Sequence, residues 1–259
     1  MQEVQNVQDV VQFVNDLELE KPVESFTVKR TRGAVAPQLV KEGEDQAFLS
    51  DKSIVSFVSA VNGQNRKDIL NSTLLAQLAA NKKSPIEQDL TGWYKRYIDV
   101  LRNIGWVVEN AEINNYEVRE KVFEVEHVII DILSASFGAG YIALIKKTLE
   151  SLKQMSEQND GRIKVFEKNT QSISKGCFQM ALADEENDAL SMKLGTFLLT
   201  STNQIKQILF VKIKRDETKL EYASSQATLD TELYSMAARD AVIHKLSQDI
   251  TDYIAEIEI

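Results

Sequence analysis

The chain has 259 residues, 30 Lys and Arg against 39 Asp and Glu, and a formal net charge of −9. That length is enough for one large domain or two small ones and a substantial buried core. The acidic balance argues against a nucleic-acid binder, which needs a cationic surplus to neutralise phosphate, and a single cysteine rules out an intrachain disulfide and any multi-cysteine metal site.

The start, MQEVQNVQDVVQFVNDLELE, is acidic and polar. It has neither the basic start nor the apolar run of a secretory signal, and Gln2 does not offer the usual myristoylation start. Residues 1–45 read as an N-terminal arm and linker. Val4, Val7, Val11 and Val14 repeat at helical spacing, and Pro22, KRTRG (Lys29 to Gly33), Pro37 and KEGEDQ follow as linker chemistry. Residues 46–259 read as one domain.

The domain begins with helical patterns. Asp51 is placed to cap a helix bearing Ile54, Val55, Val58 and Val61. Leu70, Leu74, Leu75 and Leu78 repeat the pattern, and Trp93, Tyr97, Leu101 and Ile104 continue it up to Gly105. WVVENAEI then reads as a strand, as does Val122 to Val125. Val128 to Ile145 (VIIDILSASFGAGYIALI) is the most apolar stretch. Asp131 and the Gly138/Gly140 break keep it from spanning a bilayer, which needs about 20 apolar residues. It reads as a helical hairpin, His127 to Ser134 and Tyr141 to Met155, with Ile142, Ile145, Leu149 and Leu152 on an inner face.

After the turn Asn159 to Gly161 the period changes to two. RIKVF, GCFQMALAD, MKLGTFLLTST, IKQILFVKIK and KLEYA read as short strands of an antiparallel meander. Asp230 then caps a long closing helix with the stripe Met236, Ile243, Leu246, Ile250, Tyr253 and Ile257. The expected fold class is α+β, single domain: N-terminal helices and a helical hairpin packed on a C-terminal antiparallel sheet, closed by a long C-terminal helix.

Chemical motifs are sparse. His127 and His244 are far apart and, with Cys177, too few for zinc, so no metal site is expected. The three form a nucleophile–base pair only if the fold gathers them. Gly138-x-Gly140-x-x-Ala143, with Glu167 further on, imitates a dinucleotide-binding turn and leaves a nucleotide-binding enzyme as one alternative. The acids of DEEND (Asp184, Glu185, Glu186, Asp188) read as a solvated loop. Cys177 lies on a strand face shared with Ala181 and Ala183, where small residues leave volume beside the sulfur. It is either a small buried hydrophobe or the anchor of a fatty chain, whose burial is worth about 0.8 kcal/mol per methylene.

The order of helices, glycine-broken hairpin, antiparallel strands and closing helix resembles the Erwinia virulence factor family. So do LNSTLLAQLAANKK (Leu70 to Lys83), WYKRYIDVLRNIGW (Trp93 to Trp106) and NDGRIKVFE (Asn159 to Glu167), within a likeness that runs from about residue 50 to 258. The resemblance implies a small, non-enzymatic bacterial effector acting at host membranes in the insect gut. It also implies release from the bacterial cytoplasm without a classical signal, no cofactor, and a palmitoyl group on a strand cysteine with its chain in an apolar cavity. Cys177 is the residue available for that attachment. Ala181, Ala183 and the hairpin residues Ile129, Ile132, Leu133, Phe137, Ile142 and Ile145 are the candidates for the lipid cavity or for a membrane-facing hairpin. A looser likeness to Cyt-type cytolytic insecticidal toxins implies a pore former, with Val128 to Leu152 as its membrane-interacting layer. Lipid is the expected partner in both cases.

Overall fold

The computed structural model describes residues 7–26, 40–117, 121–186, 189–205, 207–247 and 252–259. Within the segment read as an arm, α1 (Val7–Asp16) packs on the body, burying Val10 and Val14, with Leu17 just beyond it. Val4, the KRTRG stretch, Pro37, Asp188 and Ile250 lie outside the described residues.

The helix expected behind Asp51 is instead a hairpin of β1 (Gln46–Ser50) and β2 (Ser53–Phe57), with Asp51 in its turn at φ 47°. Every position of both strands is buried. A strand covered on both faces loses the polar alternation that marks strands in sequence, so the short apolar run mimicked a helix.

α2 (Gly63–Lys83) is capped by Asn62, whose side chain accepts from Asn65 N at 2.9 Å. α3 (Leu90–Asn103) is capped by Asp89 and closed at Gly105, which adopts φ 104°. β3 (Trp106–Glu109), β4 (Asn114–Asn115) and β5 (Val122–Glu124) follow, then the expected helical hairpin, α4 (Val125–Phe137) and α5 (Ala139–Glu157).

RIKVF is not a strand. It belongs to α6 (Gly161–Thr170), which buries Ile163, Phe166 and Thr170 and is capped by Asp160, accepting from Arg162 N at 2.8 Å. Five residues were too few to separate the two periods.

The long strands are β6 (Lys175–Glu186), β7 (Ala189–Ser201) and β9 (Thr218–Leu229), which pair antiparallel as the meander requires. Among the described residues of IKQILFVKIK the strand is β8 (Lys212–Lys214), paired with β5, while Ile208 and Leu209 are buried as a plug.

The long closing helix is also corrected. The chain forms α7 (Thr231–Ala237) and α8 (Arg239–Leu246), turns at Ser247 (φ 49°), and returns as β10 (Ile254–Ile257) beside β1. Met236 and Ile243 of the expected stripe are 68% and 40% exposed, whereas Ile257 is a strand residue in the core.

The main sheet runs β10-β1-β2-β6-β7-β9-β3, with β4 also on β9. It is mixed, because β2 and β6 pair parallel. The crossover between those two strands spans α2 to α6, which supplies the length a parallel connection needs.

Both faces of the sheet are covered. α1, α2, α3, α7 and α8 bury one face against Phe48, Val55, Cys177, Leu194 and Ala223. α4, α5 and α6 bury the other against Ile54, Phe178, Met180, Leu182 and Phe197. The result is an α+β three-layer domain.

Asp160 also orients Arg162, whose Nη1 donates to Glu256 O of β10 at 2.7 Å. Asp160→Ala should therefore lower the denaturation free energy by about 1–2 kcal/mol, read from the urea midpoint.

Candidate functional site

Alternation along β6 separates the residues singled out from sequence. Cys177, Ala181 and Ala183 face α2 and α3. Ile129, Ile132, Leu133, Phe137 and Ile145 pack on the opposite face of the sheet. Ile142 is half-buried, and the neighbouring Leu144 takes a core place instead. No single cavity can be lined by both groups, because the sheet lies between them.

On its own face Cys177 is fully buried and pairs across the ladder with Leu198, while Ala181 pairs with Leu194 and Ala183 with Met192. Burial pushes its thiol well above the ordinary cysteine range. The buried Tyr97 hydroxyl is within electrostatic reach of it, and so are Lys52 and Asp51.

Asp51 accepts from Lys52 Nζ at 3.4 Å and from Asn81 Nδ2 at 3.1 Å, and Asn81 accepts from Trp93 Nε1 at 2.8 Å. Gln77 accepts from the backbone N of Lys52 at 2.7 Å. Desolvation still raises the Asp51 carboxyl above its usual range despite the nearby ammonium. This polar floor ties the β1–β2 turn to α2 and α3.

His127 and His244 are exposed, whereas the thiol is fully buried. His127 pairs with Glu124 at 3.6 Å. The nucleophile–base combination is not assembled.

The glycine motif is a helix corner. VIIDIL is part of α4, not a strand, and Gly138 (φ 87°) ends that helix and admits the next. A dinucleotide-binding turn needs a strand before its glycines, so Gly138 and Gly140 do not form one.

The hairpin sits close on the sheet because β7 carries Gly195 beneath it. A Cβ at that position would lie 2.5 Å from Leu133 Cδ2 and 3.3 Å from the Phe197 ring. Phe178 and Phe197 stack across β6 and β7 with centroids 4.9 Å apart and extend the same apolar floor.

Polar ties are few. Ser56 and Thr148 share a buried hydroxyl bond at 3.1 Å, and Gln207 Nε2 donates to Ser156 Oγ at 3.3 Å. At the corner, Tyr141 of α5 donates to Asp184 of β6. Lys193 of β7 donates to Phe137 O at 2.6 Å and lies 4.5 Å from the centroid of the Tyr141 ring. The bond to Asp184 pushes the Tyr141 phenol up to about 12.

Sequence reasoning missed Tyr141, Lys193 and the separate roles of two acids. Asp184 holds the hairpin corner, while Glu185 accepts from Asn62 N and Nδ2 at 3.0 Å and so fixes the start of α2. Asp184 to Glu186 belong to β6 rather than to the solvated loop expected; the available signal was that the strand GCFQMALAD runs straight into them, and consecutive strand residues point to opposite layers.

No protein-family model and no curated sequence matches the chain. Solved structures similar to it include a delta-endotoxin, at TM-score 0.42 and 9% identity, covering 81% of this chain and 90% of that one. They also include the activated Cyt2Ba monomer from Bacillus thuringiensis subsp. israelensis, at TM-score 0.40 and 13% identity, covering 69% and 96%. The Evf virulence factor is similar at TM-score 0.34 and 12% identity, covering 94% and 90%. Both kinds of protein that the sequence resembles are thus among its structural neighbours. At these scores no residue role passes from them to this chain.

Two outcomes follow from this geometry. Cys177 should resist a water-soluble thiol reagent in the native protein and take one equivalent on unfolding. An acylated chain would take it only after hydroxylamine, and its intact mass would exceed that of the bare polypeptide. Gly195→Ala should cost about 1–3 kcal/mol through overpacking and Leu133→Ala about 2–5 kcal/mol. The double variant should lose less than the sum by on the order of 1 kcal/mol, read from denaturant midpoints.

Proposed function

We propose that this is a toxin- or virulence-type protein that acts on membranes without making or breaking covalent bonds, and that the α4–α5 hairpin is the part that meets lipid. The observation behind this reading is how that layer is built. Its underside, from Ile129 and Leu133 to Ile145, Leu149 and Leu152, is apolar but for the buried Thr148 hydroxyl that meets Ser56. Its outer side carries the exposed Asp131, Lys146, Lys147 and Glu150. At its base Val125 N donates to Val211 O at 3.2 Å, and along its length side-chain contacts attach it to the sheet.

Such a layer can exchange a protein floor for hydrocarbon with little change in its own burial. At 1.5 Å per residue α4 and α5 are about 20 and 28 Å long. Among the described residues no helix is long and apolar enough to cross a membrane. The hairpin therefore lies in the interfacial plane, apolar side down and charged side toward the headgroups. Its departure also bares Phe178, Met180, Leu182, Phe197 and Leu199 on the sheet.

In its finer form the reading includes a palmitoyl chain on Cys177 and a host gut membrane as the target, as the sequence resemblance implies. Because the thiol is fully buried, the chain would have to be attached before or during folding.

A second reading rests on strand length. β6, β7 and β9 have 12, 13 and 12 residues, more than the 9–11 or so that cross a bilayer. In that case the hairpin uncovers strands that insert as a Cyt-type pore.

The test is a lock. A Cβ on Gly195 would lie 2.5 Å from Leu133 Cδ2, so Leu133→Cys with Gly195→Cys is the pair to oxidise, with the bridge verified by loss of both thiols before release is measured. Cys177, on the other face, cannot exchange with it. The oxidised variant should release no dye from liposomes, and reduction should restore wild-type release. Release that is unaffected by oxidation, or no release by the wild type across pH and protease treatment, would overturn the proposal. Bromolipid quenching of a fluorophore at Gly140→Cys marks an inserted hairpin, and at Thr200→Cys inserted strands.

A further inference from the structure

Against a membrane, apolar packing does not hold the hairpin in place. Lipid tails are as apolar as the leucines and phenylalanines of the sheet, so the hairpin's own burial is nearly matched on the two sides of the exchange, provided that the bared sheet face meets lipid as well. What hydrocarbon cannot replace is a set of directed polar contacts.

Ser56–Thr148 lies along α5, Gln207–Ser156 near its far end and Val125 N–Val211 O at the base, and a further group lies at the open corner. The chain enters α4 beside the β5–β8 pair and leaves α5 toward α6, so the Gly138 corner is the free tip of the layer. There Tyr141 is bound to Asp184, and Lys193 both donates to Phe137 O at 2.6 Å and lies 4.5 Å from the Tyr141 ring centroid. Asp184 Oδ1 is itself held, accepting from Glu185 N at 2.8 Å, so the carboxylate is aimed rather than free to turn. Gly138 itself meets nothing there: a Cβ added to it would find no atom within 4 Å. The tip is thus pinned by neighbours on either side of an open corner, and the two pins come from adjacent strands, β6 and β7.

We infer that Tyr141, Asp184 and Lys193 form the release catch of the hairpin: they hold the tip of α4–α5 on β6 and β7, and their rupture is the step that sets when the layer leaves the sheet. This rests on the proposed membrane reading and names what regulates it. The phenol lies between one carboxylate and one ammonium, with Glu186 also within electrostatic reach of it. The catch yields where anionic headgroups compete for Lys193.

The experiment compares the wild type with Tyr141→Phe, which keeps the ring and loses the hydroxyl, with Lys193→Met, and with Lys193→Arg as the conservative control. Amide exchange in residues 139–155 should quicken about tenfold in the first two variants, while amides of α2 and the global urea midpoint stay near wild type. The concentration needed for half-release of dye from phosphatidylserine-containing liposomes should fall several-fold. Lys193→Arg should behave as wild type. A purely structural role would instead move all amides and the midpoint together, and would overturn the catch. So would unchanged hairpin exchange in Tyr141→Phe and Lys193→Met. If the catch variants change exchange but neither they nor the disulfide lock between α4 and β7 alters dye release, the membrane reading fails. If the lock abolishes release and the catch variants change nothing, the catch alone fails.

Discussion

The structure depends on a sheet that is apolar on both faces. Alternate residues of β6 send Cys177, Ala181 and Ala183 one way and Phe178, Met180 and Leu182 the other, and all are buried. Two-sided strands cannot be left half-covered in water, so the chain must supply a helical layer for each face. The long crossover from β2 to β6 carries helices to both sides. The chain end then completes one layer with α7 and α8 before closing the edge with β10.

The two layers are secured by different means. On the α2 side polar groups run through the packing. Arg66 is fully buried and donates to Val61 O, Glu44 O and Gln46 Oε1, each at 2.8 Å, with its guanidinium 5.5 Å from the centroid of the Phe57 ring. Asp68 pairs with Arg239 at 2.7 Å, and Ser72 donates to Tyr234 at 3.1 Å. Removing one partner from contacts of this kind strands another in the core, so this layer resists displacement. On the hairpin side the interface among the described residues is mostly hydrocarbon, with the buried Ser56–Thr148 pair, the Gln207–Ser156 and Val125–Val211 bonds, and a cluster at the tip. That contrast is the basis for proposing the hairpin as the layer that moves and the tip residues as its control.

The apolar hairpin with its glycine break, the antiparallel β6–β7–β9 set, the Trp93-to-Ile104 helix face and the close of that helix at Gly105 were all legible in the residues, because each is a local pattern long enough to show its period. The β1–β2 hairpin, α6 and the split closing segment were not. The first is buried on every side and has no polar face to alternate. The second shows too few residues before its period can be told from a strand's. In the third, apolar residues at helical spacing are shared between α7 and α8, where Met236 and Ile243 face solvent, and a strand recruited by the free edge of β1.

The candidate site divides along the same line. Composition and spacing alone marked Cys177 as solitary and the Val128–Ile145 stretch as unusually apolar, since those are properties of the chain itself. Only the tertiary structure decided that the sheet stands between them, that Asp184 and Glu185 pin opposite layers, and that Tyr141 and Lys193 meet at the corner. Those facts depend on strand register and on which face each helix covers, and register is set by distant residues pairing rather than by any neighbour in sequence.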